Sequence, residues 1–124
     1  MSNGRVITVL EAPFMQMVLG AILGDLGFEL VGKATNGTTG INLFEETSPD
    51  LVFMDLILPD MEAADAIHAI TEKHPKAYIV VCTSLGKQKE ILDSLKCGAK
   101  DFTLKPFTPQ SIKEITSKAL TSHR

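Results

Sequence analysis

Apolar positions fall into short β-rich runs separated by stretches with helical spacing. Val6 to Leu10 is rich in β-branched residues and predicts a strand. Pro13 suits the first turn of a helix, where its missing N–H costs nothing. From Phe14 to Leu26 apolar residues recur at helical spacing, at Phe14, Val18, Ala21, Ile22 and Leu26, and Gly27 suits the stop. Phe28 to Ala34 predicts a second, half-exposed strand. Asn36-Gly37 predicts a turn, and Thr38 to Glu46 a helix carrying Ile41, Leu43 and Phe44. Leu51 to Met54 is an uninterrupted apolar strand, and after Pro59 a helix runs to about Lys73. Ala77 to Cys82 predicts the fourth strand, and Lys87 to Lys96 a helix ended by Gly98. Asp101 to Leu104 predicts the fifth strand, and Pro109 opens a last helix to about Leu120.

Strand and helix thus alternate five times, which predicts an α/β fold with a doubly wound, five-stranded parallel sheet and helices on both faces. The middle strands are apolar without alternation, as strands buried on both faces should be. No linker, repeat or low-complexity tract divides the 124 residues, so a single domain over 1–124 is expected. Hydrophobic residues make up 44% and charged ones 22%, enough to bury a core and to exclude a disordered tail. A net charge of −3 argues against broad attraction to a polyanion, so nucleic acid is not an expected partner. No apolar stretch approaches the roughly 20 residues that span a bilayer, so no membrane insertion is expected. The first residues lack a basic stretch followed by an apolar run and a cleavage site, so a secretory signal is not expected. Cys82 and Cys97 lack metal-like spacing and read as reduced thiols, which points to the cytoplasm.

In such a sheet, functional residues gather outside the carboxyl ends of the strands. Strand one ends at Leu10 and Glu11, strand three at Asp55, strand four at Thr83 and Ser84, and strand five at Lys105-Pro106. One end therefore collects two carboxylates, a hydroxyl pair and an ammonium. A buried carboxylate cluster needs a cation, and hard Mg²⁺ suits oxygen donors. The lysine and a hydroxyl could hold an anion arriving on Asp55. This is equipment for a carboxylate that accepts a phosphoryl group. Each residue also has a bland reading: Asp55 as a loop cap, Glu11 as a first-turn acid, Thr83 as an N-cap, Lys105 as a surface lysine. Their joint presence favours the acceptor role for Asp55 and leaves Glu11 open between ligand and cap. His68, His74 and His123 share no spacing with other ligands and read as surface residues.

Phe53-Met54-Asp55-Leu56-Ile57-Leu58-Pro59, Val81-Cys82-Thr83-Ser84 and Gly98-Ala99-Lys100-Asp101-Phe102-Thr103-Leu104-Lys105-Pro106-Phe107 carry a resemblance. In this order and spacing they resemble the receiver domain of bacterial and archaeal response regulators, most closely the stand-alone chemotaxis type. The likeness covers nearly the whole chain. It implies a flavodoxin-like receiver fold with strand order 2-1-3-4-5. It also implies Asp55 as the phosphoryl acceptor, Thr83 as a hydroxyl that binds the phosphoryl oxygen and moves on activation, and Lys105 as the lysine contacting that group. Pro106 is expected to be cis. Mg²⁺ would be held by Glu11, Asp55 and the backbone carbonyl of Ile57. Phe102 matches a ring that swings between exposed and buried rotamers, with plain core as its other reading. The implied partners are a histidine kinase, a phosphatase and a downstream protein target such as a flagellar motor switch. The last of these would read the face of helix four, strand five and helix five. The chain would be a phosphoacceptor, catalysing at most its own phosphoryl transfer and dephosphorylation, rather than an enzyme.

Three features depart from the family. Of its two adjacent acids after strand one, the first position is Leu10 and the second Glu11, so attraction for Mg²⁺ should fall. The family's glycine in the loop after strand three is Ala63, which is strained if the backbone there needs φ > 0. Ile57 and Leu85, two residues beyond Asp55 and Thr83, are apolar where the attacking water passes in the family. Leu10 sustains a second reading, a degenerate receiver that acts as a phosphorylation-independent interaction module. A flavin-binding flavodoxin is excluded because Leu10-Glu11-Ala12-Pro13-Phe14 offers no hydroxyl- and glycine-rich phosphate loop. A haloacid-dehalogenase-type phosphatase is excluded because Ile57 stands where it needs an acid.

Overall fold

Every β-rich run forms a strand and every helically spaced stretch a helix. The computed structural model describes residues 2–122. The strands are β1 (Arg5–Val9), β2 (Glu29–Ala34), β3 (Leu51–Asp55), β4 (Ile79–Thr83) and β5 (Asp101–Leu104). They alternate with α1 (Pro13–Asp25), α2 (Gly37–Thr47), α3 (Ala63–Lys73), α4 (Gln88–Lys96) and α5 (Pro109–Ser122). All pairings are parallel and the sheet order is β2-β1-β3-β4-β5. Parallel neighbours cannot be joined by a tight turn, and the helices supply the crossovers. The α/β doubly wound architecture and its 2-1-3-4-5 order are those expected from the sequence.

Successive strand residues feed opposite faces. Ile7, Val9, Val52, Met54, Ile79 and Val81 pack under α2 and α3, against Phe44, Ala66, Ile67 and Ile70. Val6, Leu51, Phe53, Val80 and Cys82 pack under α1 and α5, against Leu19, Ile22, Leu23, Ile112 and Ile115. β3 and β4 are buried throughout, which accounts for their unbroken apolar runs. Gly27 (φ 86°) and Gly98 (φ 122°) follow α1 and α4 in left-handed conformations that side chains resist.

Two expectations change. The buried residues of α1 are Gln16, Leu19, Ile22 and Leu23, whereas Phe14 is 65% exposed and Ala21 is exposed. This helix is apolar nearly all round, so periodicity alone could not select the stripe that meets β1 and α5. The helix after Pro59 begins only at Ala63, whose φ is not positive. Ala63 is the first helical residue behind a capping box in which Glu62 and Asp65 each take the other's backbone N–H, so the expected strain is absent. Among the described residues no helix is long and apolar enough to cross a membrane. Both cysteines are free thiols.

Candidate functional site

Parallel pairing sets the carboxyl ends of the strands side by side, with Asp55 opposite Cys82 and Thr83 opposite Leu104. Asp55 is the last residue of β3 and only 4% exposed. Lys105 leaves β5 by donating its N–H to the Thr83 carbonyl at 2.7 Å, and its peptide bond to Pro106 is cis. The same residue reaches back, placing Nζ 2.5 Å from Asp55 Oδ1. The other oxygen, Oδ2, accepts the backbone N–H of Glu11 at 2.9 Å. A buried carboxylate is tolerable only when so compensated, here by one cation and one aimed peptide dipole.

The remaining expected residues surround this pair. Thr83 is buried, and its hydroxyl donates to the carbonyl of Ser84 at 3.1 Å rather than to Asp55. The Glu11 side chain is exposed while its N–H faces Asp55. Leu10 is wholly buried in the cluster beneath α1 and α5 with Leu19, Phe53 and Phe107. Ile57 is 47% exposed and Leu85 82%, so Leu85 stands almost free in solvent. Phe102 is 40% exposed, which removes the plain-core reading of that ring. With Leu92, Leu95 and Leu104 it leaves exposed apolar surface on α4 and β5. His68 pairs with Glu72 and His74 with Glu45, both outside this site. His123 lies outside the described residues.

Two polar residues that the sequence pattern did not flag complete the surroundings. Gln16 is 7% exposed on α1. Its Nε2 donates to the carbonyls of Leu10 (3.0 Å) and Ala34 (2.8 Å), and its Oε1 accepts the Thr8 hydroxyl at 2.5 Å. The available signal was a glutamine three residues ahead of Leu19 in an otherwise apolar helix. Asp60 accepts the N–H groups of Gly37 (2.7 Å) and Thr38 (3.0 Å) and the Thr38 hydroxyl (2.8 Å). It thereby ties the loop after β3 to the start of α2, and the Gly37 N–H leads in lowering its carboxyl below the usual value. Burial pushes the Cys82 thiol up, the neighbouring Asp55 charge adds to this, and Lys105 opposes it.

Among the described residues no three His, Cys, Asp or Glu side chains converge. Of the oxygen donors that the family resemblance assigns to a cation, the Asp55 carboxylate is buried at the end of β3, Glu11 is exposed, and the third is the backbone carbonyl of Ile57. Asp55 Oδ1 is buried and carries no hydrogen bond, only the Lys105 ion pair. A hard cation that keeps most of its water fits this thin all-oxygen set, whereas an all-protein cage does not.

The sequence model of the response regulator receiver domain matches residues 6–117. A chemotaxis protein CheY of Thermotoga maritima is 41% identical over 92% of this chain and 95% of its own length. One of Bacillus subtilis is 38% identical over 94% and 97%. Among solved structures, the receiver domain of NarL from Mycobacterium tuberculosis superposes with a TM-score of 0.88 at 21% identity, covering 96% of this chain and 98% of its own. The receiver domain of a Pseudomonas aeruginosa sensor histidine kinase, with a magnesium ion in its active-site cleft, gives 0.85 at 22% identity over 95% and 98%.

Proposed function

The chain belongs to the response regulator receiver family, and from that membership we propose that it accepts a phosphoryl group on Asp55 from a histidine kinase and passes the signal on as a chemotaxis-type regulator. An Asp55 oxygen attacks the phosphorus of the kinase phosphohistidine. The P–N bond breaks, its electron pair goes to the imidazole, which takes up a proton, and Asp55 becomes an acyl phosphate. Lys105, already at 2.5 Å, follows the negative charge from the carboxylate to the phosphoryl oxygens. Thr83 exchanges its bond to the Ser84 carbonyl for one to the same group. Mg²⁺, held by Asp55, Glu11 and the Ile57 carbonyl, would neutralise phosphoryl charge during transfer. The exposed face of α4, β5 and α5, with Phe102 at its centre, would meet the downstream target, and a phosphatase would end the signal. Such a chain is a phosphoacceptor working in the cytoplasm, not a turnover enzyme. The names of the relatives support the chemotaxis assignment.

The observation that carries this reading is the buried Asp55 carboxylate, closed by the Lys105 ammonium at the end of a central strand. The test is labelling by acetyl phosphate, read by intact mass with Mg²⁺ and with a chelator. Wild type should gain one phosphoryl group only with Mg²⁺, and Asp55→Asn none. Labelling of Asp55→Asn at the wild-type rate removes Asp55 as the acceptor. The burial of Leu10 and the lack of a three-acid cluster among the described residues favour a second reading, an interaction module indifferent to phosphorylation. Wild type that stays unlabelled with Mg²⁺ present would select it.

A further inference from the structure

We propose that Gln16 is a positioning residue for Asp55, acting through the single peptide unit between Leu10 and Glu11. The carbonyl of that unit accepts Gln16 Nε2 at 3.0 Å, and its N–H donates to Asp55 Oδ2 at 2.9 Å. One rigid plane therefore joins the two bonds, since the peptide group does not twist. The amide end of Gln16 is fixed on both sides. Its second Nε2–H goes to the Ala34 carbonyl on β2, and its Oε1 takes the Thr8 hydroxyl on β1. Thr8 and Gln16 are both buried, so this chain of donors lies away from solvent competition. A donor on a peptide carbonyl polarises the N–H of the same unit, and serial bonds strengthen one another at low local dielectric. The consequence is mechanical as well as electrostatic. With Gln16 in place the peptide that carries the Glu11 N–H is held from its other end, so the Asp55 carboxylate keeps Oδ2 on that N–H while Oδ1 faces the Lys105 ammonium. Gln16 touches neither a reacting atom nor a cation donor, so its effect is confined to how Asp55 is held.

The claim about phosphoryl transfer rests on the Asp55 acceptor reading above, but the relay can be judged without it. In uniformly ¹⁵N,¹³C-labelled wild type, scalar couplings across hydrogen bonds should link Gln16 Nε2 to the Leu10 carbonyl carbon and Glu11 N to the Asp55 carboxyl carbon. Absence of either coupling overturns the relay in the unmutated protein, whatever the variants do. Gln16→Met keeps the volume and removes all three bonds. It should move the Glu11 amide proton upfield and speed its hydrogen exchange. Thr8→Val frees only Oε1 and should give a smaller change of the same sign. An unchanged Glu11 amide in a folded Gln16→Met protein also overturns the proposal. With acetyl phosphate at saturating Mg²⁺, Gln16→Met should label roughly threefold to tenfold more slowly, the scale of a partly lost charge-assisted hydrogen bond. Saturating Mg²⁺ keeps any change in cation affinity, which Asp55 and Glu11 would also set, out of this comparison. Equal labelling rates despite a shifted amide would refute a role in holding Asp55 for transfer. Failure of wild type to label defeats the acceptor reading instead and leaves the couplings to decide the relay.

Discussion

Replacing Leu10 by aspartate sets core packing against cation binding at one position. Leu10 is 0% exposed and packs with Leu19, Phe53 and Phe107 beneath α1 and α5. Removing a buried leucine side chain costs about 2–5 kcal/mol through lost transfer energy and the cavity left behind. A carboxylate in the same place adds a desolvation penalty unless it turns toward the mouth of the site or meets a cation. Without divalent metal, Leu10→Asp should therefore be less stable than wild type by about 3 kcal/mol or more, a large share of a small domain's stability. With metal the balance shifts. A third carboxylate beside the Asp55 and Glu11 carboxylates should strengthen Mg²⁺ binding by about 1 kcal/mol or more in a partly buried site. A ligand bound only by the folded state, at a hundred times its dissociation constant, returns about 2.7 kcal/mol. The assay is urea unfolding by circular dichroism, in chelator and across a Mg²⁺ series, with calorimetric titration of the same proteins. The variant's midpoint should rise steeply with Mg²⁺ and the wild type's only slightly. Equal affinities, or tighter binding by wild type, would refute the argument that the missing acid weakens the cation's hold. A variant as stable as wild type in chelator would refute the claim that Leu10 is a core residue.

Other outcomes follow from single groups. Ser94 Oγ is buried and has no hydrogen-bond partner among the described residues, so Ser94→Ala should stabilise the fold by about 1 kcal/mol in urea unfolding; a destabilised variant would mean the hydroxyl is paired. Asp60 has its carboxyl lowered by the Gly37 and Thr38 donors, so its contribution to stability is complete above the unfolded-state pKa and lost as pH falls through the lower folded value. The stability gap between wild type and Asp60→Ala should accordingly be full at neutral pH and close in acid, and a gap that widens in acid would refute this sign. Ile57 and Leu85 give an attacking water no hydrogen bond, so a phosphorylated wild type should decay slowly, and Ile57→Asn and Leu85→Glu should speed the decay. With Leu85 82% exposed, Ile57→Asn should have the larger effect, and no acceleration by either would end the shielding argument.

The element order was legible because the runs Leu51 to Met54 in β3 and Ile79 to Cys82 in β4 are apolar without interruption and Pro and Gly punctuate the helices, while the 2-1-3-4-5 strand order came from the resemblance to the receiver family. Asp55 and Thr83 stood out for a related reason, as polar residues closing apolar runs, and Lys105 as the residue just past β5. The buried face of α1 was not. Its thirteen residues offer several apolar stripes, and the choice among them is made by β1 and α5, which lie elsewhere in the chain. Ala63 was misjudged because φ at a loop residue depends on where the helix starts, and the reciprocal Glu62–Asp65 cap sets that start. Gln16 and Asp60 were missed because most of their bonds go to backbone groups, Gln16's to Leu10 and Ala34 and Asp60's to Gly37 and Thr38, beside one hydroxyl each from Thr8 and Thr38. Backbone partners leave no trace in the identity of the residues contacted.

At the end of β1 the departure from the acidic pair and the buried glutamine belong to one local arrangement. Residue 10 is saturated by the fold: its side chain fills the core, its N–H goes to the Ala34 carbonyl at 3.0 Å, and its carbonyl goes to Gln16. What β1 then offers Asp55 is the N–H of the next residue, a dipole where the family has a charge. The two act over different ranges. A unit charge falls off as the inverse of distance and draws a divalent ion from outside the site, whereas a peptide dipole acts on the atom it touches. The carboxylate of Asp55 is therefore held by that N–H and by the Lys105 ammonium, while recruitment of the cation is left to Asp55 and Glu11. Phosphoryl transfer should accordingly be limited by occupancy of the cation site rather than by the readiness of Asp55, so labelling rates should keep climbing with Mg²⁺ concentrations at which Leu10→Asp has already levelled off.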